Sequence, residues 1–415
     1  MKCLLIHNHY QNAGGEDEVF RNEAELLRSR GHHVVEYVRS NHEISDYGVA
    51  GKLDLALRTV WARDTVRDLR VVLKREKPQV VHLHNTFPLV SPAVYYACDD
   101  AHIPVIQTLH NYRLLCPSAT FFRNGAVCEQ CLDHSLFRGI RHGCYRGSRP
   151  ATAVVAAMLW FHRFRKTWVD RVDRFIALTE FSRSKFVANG IPGEKISVRP
   201  NSLARDPGPK NVAGEYALFV GRISPEKGLR TLLSAWHELP RQLALKVLGD
   251  GPERQELQSA VASSGLNNVS FEGAQSREAV LSAMKGARFL IFPSQWYECF
   301  PATLLEAFAC ALPVIASNIG AIAEIVDDGK TGLHIIPGDA SGLAEKIRWA
   351  WTHQREIDLM GRNARREYET KYSSERNYDR LMEIYRSVIA SRADANVQLC
   401  DRAAGIPAVT GRGAR

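Results

Sequence analysis

The sequence predicts an α/β protein built from two doubly wound domains in tandem. Three observations carry this. Short β-branched runs alternate with longer segments of helical period. The strand runs are apolar nearly throughout, as strands covered on both faces of a parallel sheet are. The alternation stops at a polar stretch rich in Pro and Gly, then restarts. The length of 415 residues also exceeds what one ordinary hydrophobic core serves.

The elements follow in order. "KCLLIHN" is the first strand. In "EDEVFRNEAELLRSRG", Val19, Phe20, Ala24 and Leu27 share one helical face and Gly31 stops the helix. "HVVEYV", "QVVHLH", "PVIQTLH", "DRFIALT" and "ISVRPN" continue the strand series. The first domain thus spans 1–205. "SLARDPGPKNVAGEY" is a linker. "YALFVG", "LALKVLG", "VSFEG", "RFLIFPS", "LPVIAS" and "GLHIIP" are the strands of a second domain over 213–373. In "SERNYDRLMEIYRSVIA", Tyr378, Leu381, Tyr385 and Val388 form a stripe at helical spacing. This predicts a helix over 374–391, packed on its own domain or, as we expect, back toward the first. Residues 392–415 lack apolar periodicity toward their end and read as a disordered tail.

Composition narrows the function classes. No window holds the ~18–20 apolar residues of a bilayer span. "MKCLLIHNHYQ" reads as a strand, with no h-region or cleavage site. A cytoplasmic protein is the expectation, so its nine cysteines should be reduced or metal-bound. The formal charge is +9. Much of it lies between Arg138 and Arg174, in "FRGIRHGCYRGSRP" and "WFHRFRKTWVDRVDR". Interleaved aromatics raise nucleic acid as a partner. A solvated face or a patch at the inner membrane's cytoplasmic side is the preferred reading, with no nucleic acid.

Polar residues collect where strands should end. His7, Asn8 and His9 close one strand; His82, His84 and Asn85 another; His110 and Asn111 a third. In a parallel sheet such ends converge on one crevice. His82 reads as a hydrogen-bonded structural histidine and His110 as functional. In "QNAGGEDE", Gly14 and Gly15 let backbone N–H groups approach an anion at a helix N-terminus, or simply make a turn. "VGRISPEKG" places Arg222 and Lys227 beside a turn entering a helix, a diphosphate-binding arrangement. "LGDGPE" is a second glycine turn after a strand.

"WYECFPATLLEAF", residues 296–308, carries Glu298 and Glu306 in an apolar run. Pro301 is excluded from a helix interior but favoured in its first turn. The helix therefore starts there. Glu298 falls in the strand-to-helix loop, and Glu306 near the second turn.

These residues resemble the family-4 retaining glycosyltransferases of GT-B fold, of the bacterial cell-surface polysaccharide type. The resemblance rests on "GRISPEKG", "GDGP", the E-x7-E motif of Glu298 and Glu306, and "LPVIASNIGAIAEIVDDGKTGL", and covers most of 1–390. It implies a nucleotide-diphosphate sugar as donor, no catalytic metal, and two Rossmann-like domains facing a cleft. It implies that Arg222 and Lys227 bind the diphosphate, Glu306 the ribose, and Glu298 the donor sugar's hydroxyls. His110 is implied to contact the sugar near its 6-position, and Gly15 to approach the diphosphate. Many relatives have Gly at the positions of Cys299, Pro301 and Ala311.

After His110, Cys116, Cys128, Cys131 and Cys144 give C-x11-C-x2-C-x12-C within an insertion over 113–146. A C-x2-C knuckle with two flanking cysteines suits structural zinc, with His134 and His142 as substitute ligands. Four reduced thiols are the alternative and a disulfide the third reading. "ATAVVAAMLWFHRFRKTW" is too short to span a bilayer and reads as a surface-lying helix or a buried one ending in a basic turn.

The expected function is retaining transfer of a sugar from a UDP- or GDP-sugar to a hydroxyl of a lipid-linked or growing cell-surface glycan. The alternatives are a non-catalytic nucleotide-sugar-binding partner subunit and a sugar-nucleotide epimerase of the same fold.

Overall fold

The computed structural model describes residues 1–11, 14–44, 47–133 and 135–403. Its fourteen strands are β1 (Lys2–His9), β2 (His33–Ser40), β3 (Val80–Leu83), β4 (Val105–Thr108), β5 (Phe122–Arg123), β6 (Ala126–Val127), β7 (Arg174–Ala177), β8 (Ile196–Val198), β9 (Tyr216–Val220), β10 (Leu245–Leu248), β11 (Val269–Gly273), β12 (Ala287–Phe292), β13 (Val314–Ser317) and β14 (Gly332–Ile335). β5 and β6 form a small antiparallel hairpin. The others make two six-stranded parallel sheets, ordered β2-β1-β3-β4-β7-β8 and β11-β10-β9-β12-β13-β14. These are the two doubly wound units that the alternation predicts.

The period of two along each strand explains how one sheet serves two cores. Leu4 and Ile6 of β1 face one way, with Val81 and Leu83. That cluster continues without a break to Leu218, Leu290 and Phe292 of the second sheet, so apolar packing joins the two halves. Cys3 and Leu5 face the other way, onto Phe20, Ala24 and Leu27. The second sheet packs Phe219, Val247 and Ile291 against Leu232, Trp236 and Ile347.

The last helix, Ser374–Ala403, starts after the second sheet but lies on the first. Leu381, Tyr385 and Val388 are buried with Cys3, Leu5, Val80, Ile106 and Ile176. The tail expected from residue 392 is helical through Ala403; the rest of that expected tail lies outside the described residues.

Candidate active site

Each sheet reverses its strand order beside its first strand. In the second sheet β9 is flanked by β10 on one side and β12 on the other. Ligands of doubly wound sheets sit beyond the strand ends at such a switch point. The loop after β9 carries Arg222 and Lys227, and the loop after β12 carries Glu298. Gly228 locks these loops together. It has φ +71°, and a Cβ there would meet the Pro293 carbonyl oxygen at 2.0 Å.

Lys227 Nζ lies 2.5 Å from Glu298 Oε1. The same oxygen accepts from Trp296 Nε1 at 2.8 Å and Ser294 Oγ at 3.2 Å. Glu298 is therefore a buried carboxylate held by three donors. Arg222 is exposed and has no ion-pair partner among the described residues.

Helix Ala302–Ala309 begins directly after Pro301, with no side-chain cap on its first turn. Its leading N–H groups are thus open to an incoming acceptor. Glu306 lies in its second turn and is buried. Burial pushes its carboxyl up to about 7, against the pull of Arg277. Arg277 Nε sits 3.5 Å from Glu306 Oε1, and the same guanidinium pairs with Glu18 of the first domain. Arg277 escaped the sequence reading. Its signal was a cation in a helix's first turn, where the helix dipole disfavours positive charge.

The first sheet supplies a hydrogen-bonded chain behind His110. His110 Nε2 lies 2.9 Å from His84 Nδ1, and His84 Nε2 lies 3.1 Å from Glu23 Oε1. Glu23 Oε2 accepts from Arg199 NH1 at 2.6 Å. Arg199 and its neighbouring histidines hold Glu23 well below the usual carboxylate range, despite its burial. Burial pushes the His84 imidazole down to about 4, and holds His110 well below its ordinary value. Both rings are neutral at pH 7, which fixes the tautomers. Glu23 only accepts, so the single proton of His84 sits on Nε2. His84 Nδ1 must then accept, so His110 carries its proton on Nε2 and keeps a lone pair on Nδ1. Neither Glu23 nor Arg199 stood out in the sequence, because the chain joining them is purely tertiary. His82 is buried in β3, with its ring nitrogens 2.8 Å from Tyr385 Oη and 2.7 Å from Thr108 Oγ1.

Gly14 caps the helix Gly15–Ser29, and a Cβ at Gly15 would meet nothing within 4 Å. Asp17 ties this loop down. Its Oδ1 is 2.8 Å from His7 Nε2 and 2.7 Å from His9 Nδ1, and its Oδ2 accepts from Gly14 N at 2.7 Å. Glu16 reaches Asn111 Nδ2 at 3.1 Å, and burial pushes its carboxyl up to about 7. The first domain also touches the Glu298 loop directly. Tyr112 Oη lies 3.5 Å from the Glu298 carbonyl oxygen, and Thr179 Oγ1 lies 3.5 Å from that of Cys299.

Cys116, Cys128, Cys131 and Cys144 are free thiols. Cys131 is pushed up to about 11 by burial and then by the neighbouring Cys116, Cys144 and Cys128. The four thus converge. Yet among the described residues, the groups with three or more ligand atoms within 4.8 Å of one another are His7–His9–Asp17 and Glu23–His82–His84. Four thiols gathered in one neighbourhood suit structural zinc and reduced thiols alike. His142 is exposed and lies 3.5 Å from Arg123 NH1; His134 lies outside the described residues. The two His–carboxylate groups are explained by their hydrogen bonds.

Residues 14–202 match the family described as glycosyl transferase 4-like domain, and 202–367 match glycosyl transferases group 1. The first match contains Gly15, His110 and the four cysteines; the second contains Arg222, Lys227, Glu298 and Glu306. The D-rhamnosyltransferase WbpZ of Pseudomonas aeruginosa is 30% identical over 222 residues, or 50% of this chain and 57% of the relative. O-antigen chain mannosyltransferase C of Escherichia coli is 29% identical over 186 residues, or 44% of this chain and 50% of the relative. The chain spans about half the length of the curated relatives it matches. Among solved structures, Anabaena Alr3699/HepE in complex with UDP superposes with TM-score 0.68 and 18% identity, over 93% of this chain and 100% of that one. This likeness shows the fold, the two-domain GT-B arrangement.

Proposed function

On a chain made of a glycosyl transferase 4-like domain followed by a glycosyl transferases group 1 domain, we propose a retaining glycosyltransferase that uses a nucleotide-diphosphate sugar. The acceptor is a hydroxyl of a lipid-linked or growing cell-surface glycan. One observation carries the reading. The switch point of the second sheet brings Lys227, Glu298 and the uncapped helix start before Glu306 together. Arg222 stands exposed on the same loop as Lys227. The UDP in the Anabaena structure, the O-antigen chain mannosyl transfer named for one curated relative and the D-rhamnosyl transfer named for another support it.

In this reading the diphosphate meets Arg222, Lys227 and the N–H groups of the Ala302–Ala309 helix. Lys227 exchanges part of its bond to Glu298 for a phosphate oxygen, which frees the Glu298 carboxylate for sugar hydroxyls. Glu306 takes the ribose hydroxyls, and Arg277 yields part of its hold on that carboxylate. His110 offers its Nδ1 lone pair to a sugar hydroxyl, oriented by the His84–Glu23 chain. The acceptor oxygen bonds to the anomeric carbon on the face from which the phosphate oxygen leaves. The acceptor's proton passes to the departing phosphate. The cations and helix N-terminus stabilise the charge that grows there. In this reading Glu298 and Glu306 bind hydroxyls and are not the acid and base pair of glycoside hydrolysis.

A thermal-shift series with UDP, GDP, ADP and their sugars tests the donor class. We expect one base to raise the melting temperature and its sugar to be transferred or slowly hydrolysed. Nucleotide binding with no transfer to any acceptor overturns the enzymatic reading. Conversion of the donor to its epimer without acceptor identifies an isomerase instead.

A further inference from the structure

Half of the large hydrophobic side chains left exposed among the described residues lie on just three helices: Val49–Val60, Phe137–His142 and Arg149–Phe164. Val49, Leu53, Leu57, Phe137, Trp160 and Phe164 are between 63% and 79% exposed. Their spacing is regular. Val49, Leu53 and Leu57 recur every four residues, so they form one stripe on their helix. Arg149, Ala157, Trp160 and Phe164 lie on the exposed side of the longer helix, with Pro150 and Arg163, opposite buried Val155, Met158 and Leu159. Trp160 and Phe164 stack on each other, 5.7 Å between centroids.

The three helices adjoin. The Val60 carbonyl oxygen lies 2.8 Å from His162 Nε2, and Trp61 meets Phe161 edge to face at 6.1 Å. Arg149 Nε donates to the Arg141 carbonyl oxygen at 3.1 Å. The last turn of the first helix, with Leu57, therefore lies beside the last turn of the longest, with Trp160 and Phe164. The three helices and the turn after the longest also carry exposed cations: Lys52, Arg138, Arg141, Arg149, Arg165 and Lys166. Asp54 is the one acidic residue within the three helices.

We propose that this three-helix face docks on the surface of an anionic phospholipid bilayer. Aliphatic and aromatic side chains on one helical face, rimmed by Lys and Arg, match an interface of acyl chains beneath negative headgroups. Patches of this kind are rare on monomers without a partner. Among the described residues no helix is long and apolar enough to cross a membrane, so the proposed contact is with the bilayer surface. A second copy of the chain fits poorly, because twofold pairing of the face sets its cations against themselves. The proposal does not depend on the transferase reading, and its test contains no donor.

The purified full chain is sedimented with vesicles of phosphatidylcholine alone and of equimolar phosphatidylcholine and phosphatidylglycerol. Binding is expected to the anionic vesicles, and to weaken as salt rises from about 0.1 M to about 0.5 M. The double variants Trp160→Ser/Phe164→Ser and Leu53→Ser/Leu57→Ser should each lose about tenfold or more in partitioning. Their thermal unfolding should match wild type, since these side chains leave the core untouched. Trp160→Phe should keep binding but lose the vesicle-induced blue shift of tryptophan emission. Absence of vesicle binding overturns the proposal, as does binding that both double variants retain. A concentration-dependent dimer abolished by the same substitutions, without vesicle binding, assigns the face to self-association and also overturns it.

Discussion

At the residue scale, the site is a set of charges held in one another's place. Lys227 pairs with Glu298, and in the proposed function a phosphate takes over part of that bond. Lys227→Ala removes a charge-assisted bond worth about 1.5–3 kcal/mol. Nucleotide affinity should fall roughly 10- to 100-fold in calorimetric titration, with transfer lost; unchanged kinetics removes Lys227 from the phosphate site. Glu306 gives a pH signature. Burial raises its carboxyl from the ordinary range to about 7 in the folded chain. The folded state thus holds a proton that the unfolded state releases, and stability falls as pH climbs from about 4.5 to about 7. Glu306→Gln removes this cost. Above pH 7 the variant should be more stable by about 1–3 kcal/mol in denaturant unfolding, with the gap closing toward pH 4.5. Its nucleotide affinity should be weak and flat with pH, whereas wild-type affinity declines as pH drops below about 7. Glu23 is the opposite case, a buried carboxylate that pairs Arg199. Glu23→Gln strands that guanidinium and should cost about 3–5 kcal/mol, read as a lowered denaturation midpoint.

At the element scale, strand ends and helix starts do the positioning. The "WYECFPATLLEAF" segment shows how far local chemistry reaches. Pro301 fixes where the helix begins, and that alone separates Glu298 from Glu306. The last helix shows where local chemistry stops. The Tyr378–Val388 stripe demanded a partner face, and the expectation that it turns back toward the first domain did not come from the stripe itself. The structure places Leu381, Tyr385 and Val388 against Cys3 and Leu5, and Tyr385 Oη beside His82. Leu381→Ala should cost about 2–5 kcal/mol. Because this helix also braces Arg199 through Asn377, the loss should appear as one cooperative unfolding transition and not as detachment of the helix alone.

At the scale of the whole molecule, charged contacts span the two halves. Glu324 of the second accepts from the backbone N–H groups of Glu180 and Phe181 in the first, at 2.9 and 2.7 Å. Arg277 joins Glu18 to Glu306 across the cleft. These bonds compete with solvent and, in the proposed function, with nucleotide, whereas the apolar floor does not. The double variant Glu324→Ala/Arg277→Ala should give a larger radius of gyration in small-angle scattering, and bound nucleotide should reduce it. Scattering identical to wild type with and without nucleotide removes these contacts from control of the cleft.

Periodicity and turn chemistry are local, so the sequence alone determined the two parallel sheets, their strands, and the loops and helix starts on which Gly15, His110, Arg222, Lys227, Glu298 and Glu306 lie. It also exposed the cysteine spacing, although spacing along a chain does not set the distance between sulfurs. Only the tertiary structure decided which of these groups meet. The Lys227–Glu298 pair joins different loops, the Glu23–His84–His110 chain joins a helix to the loops after two strands, and Arg277 pairs with both domains. Such pairings depend on strand order and domain closure, which arise from burying apolar faces against distant partners and leave no mark on neighbouring residues.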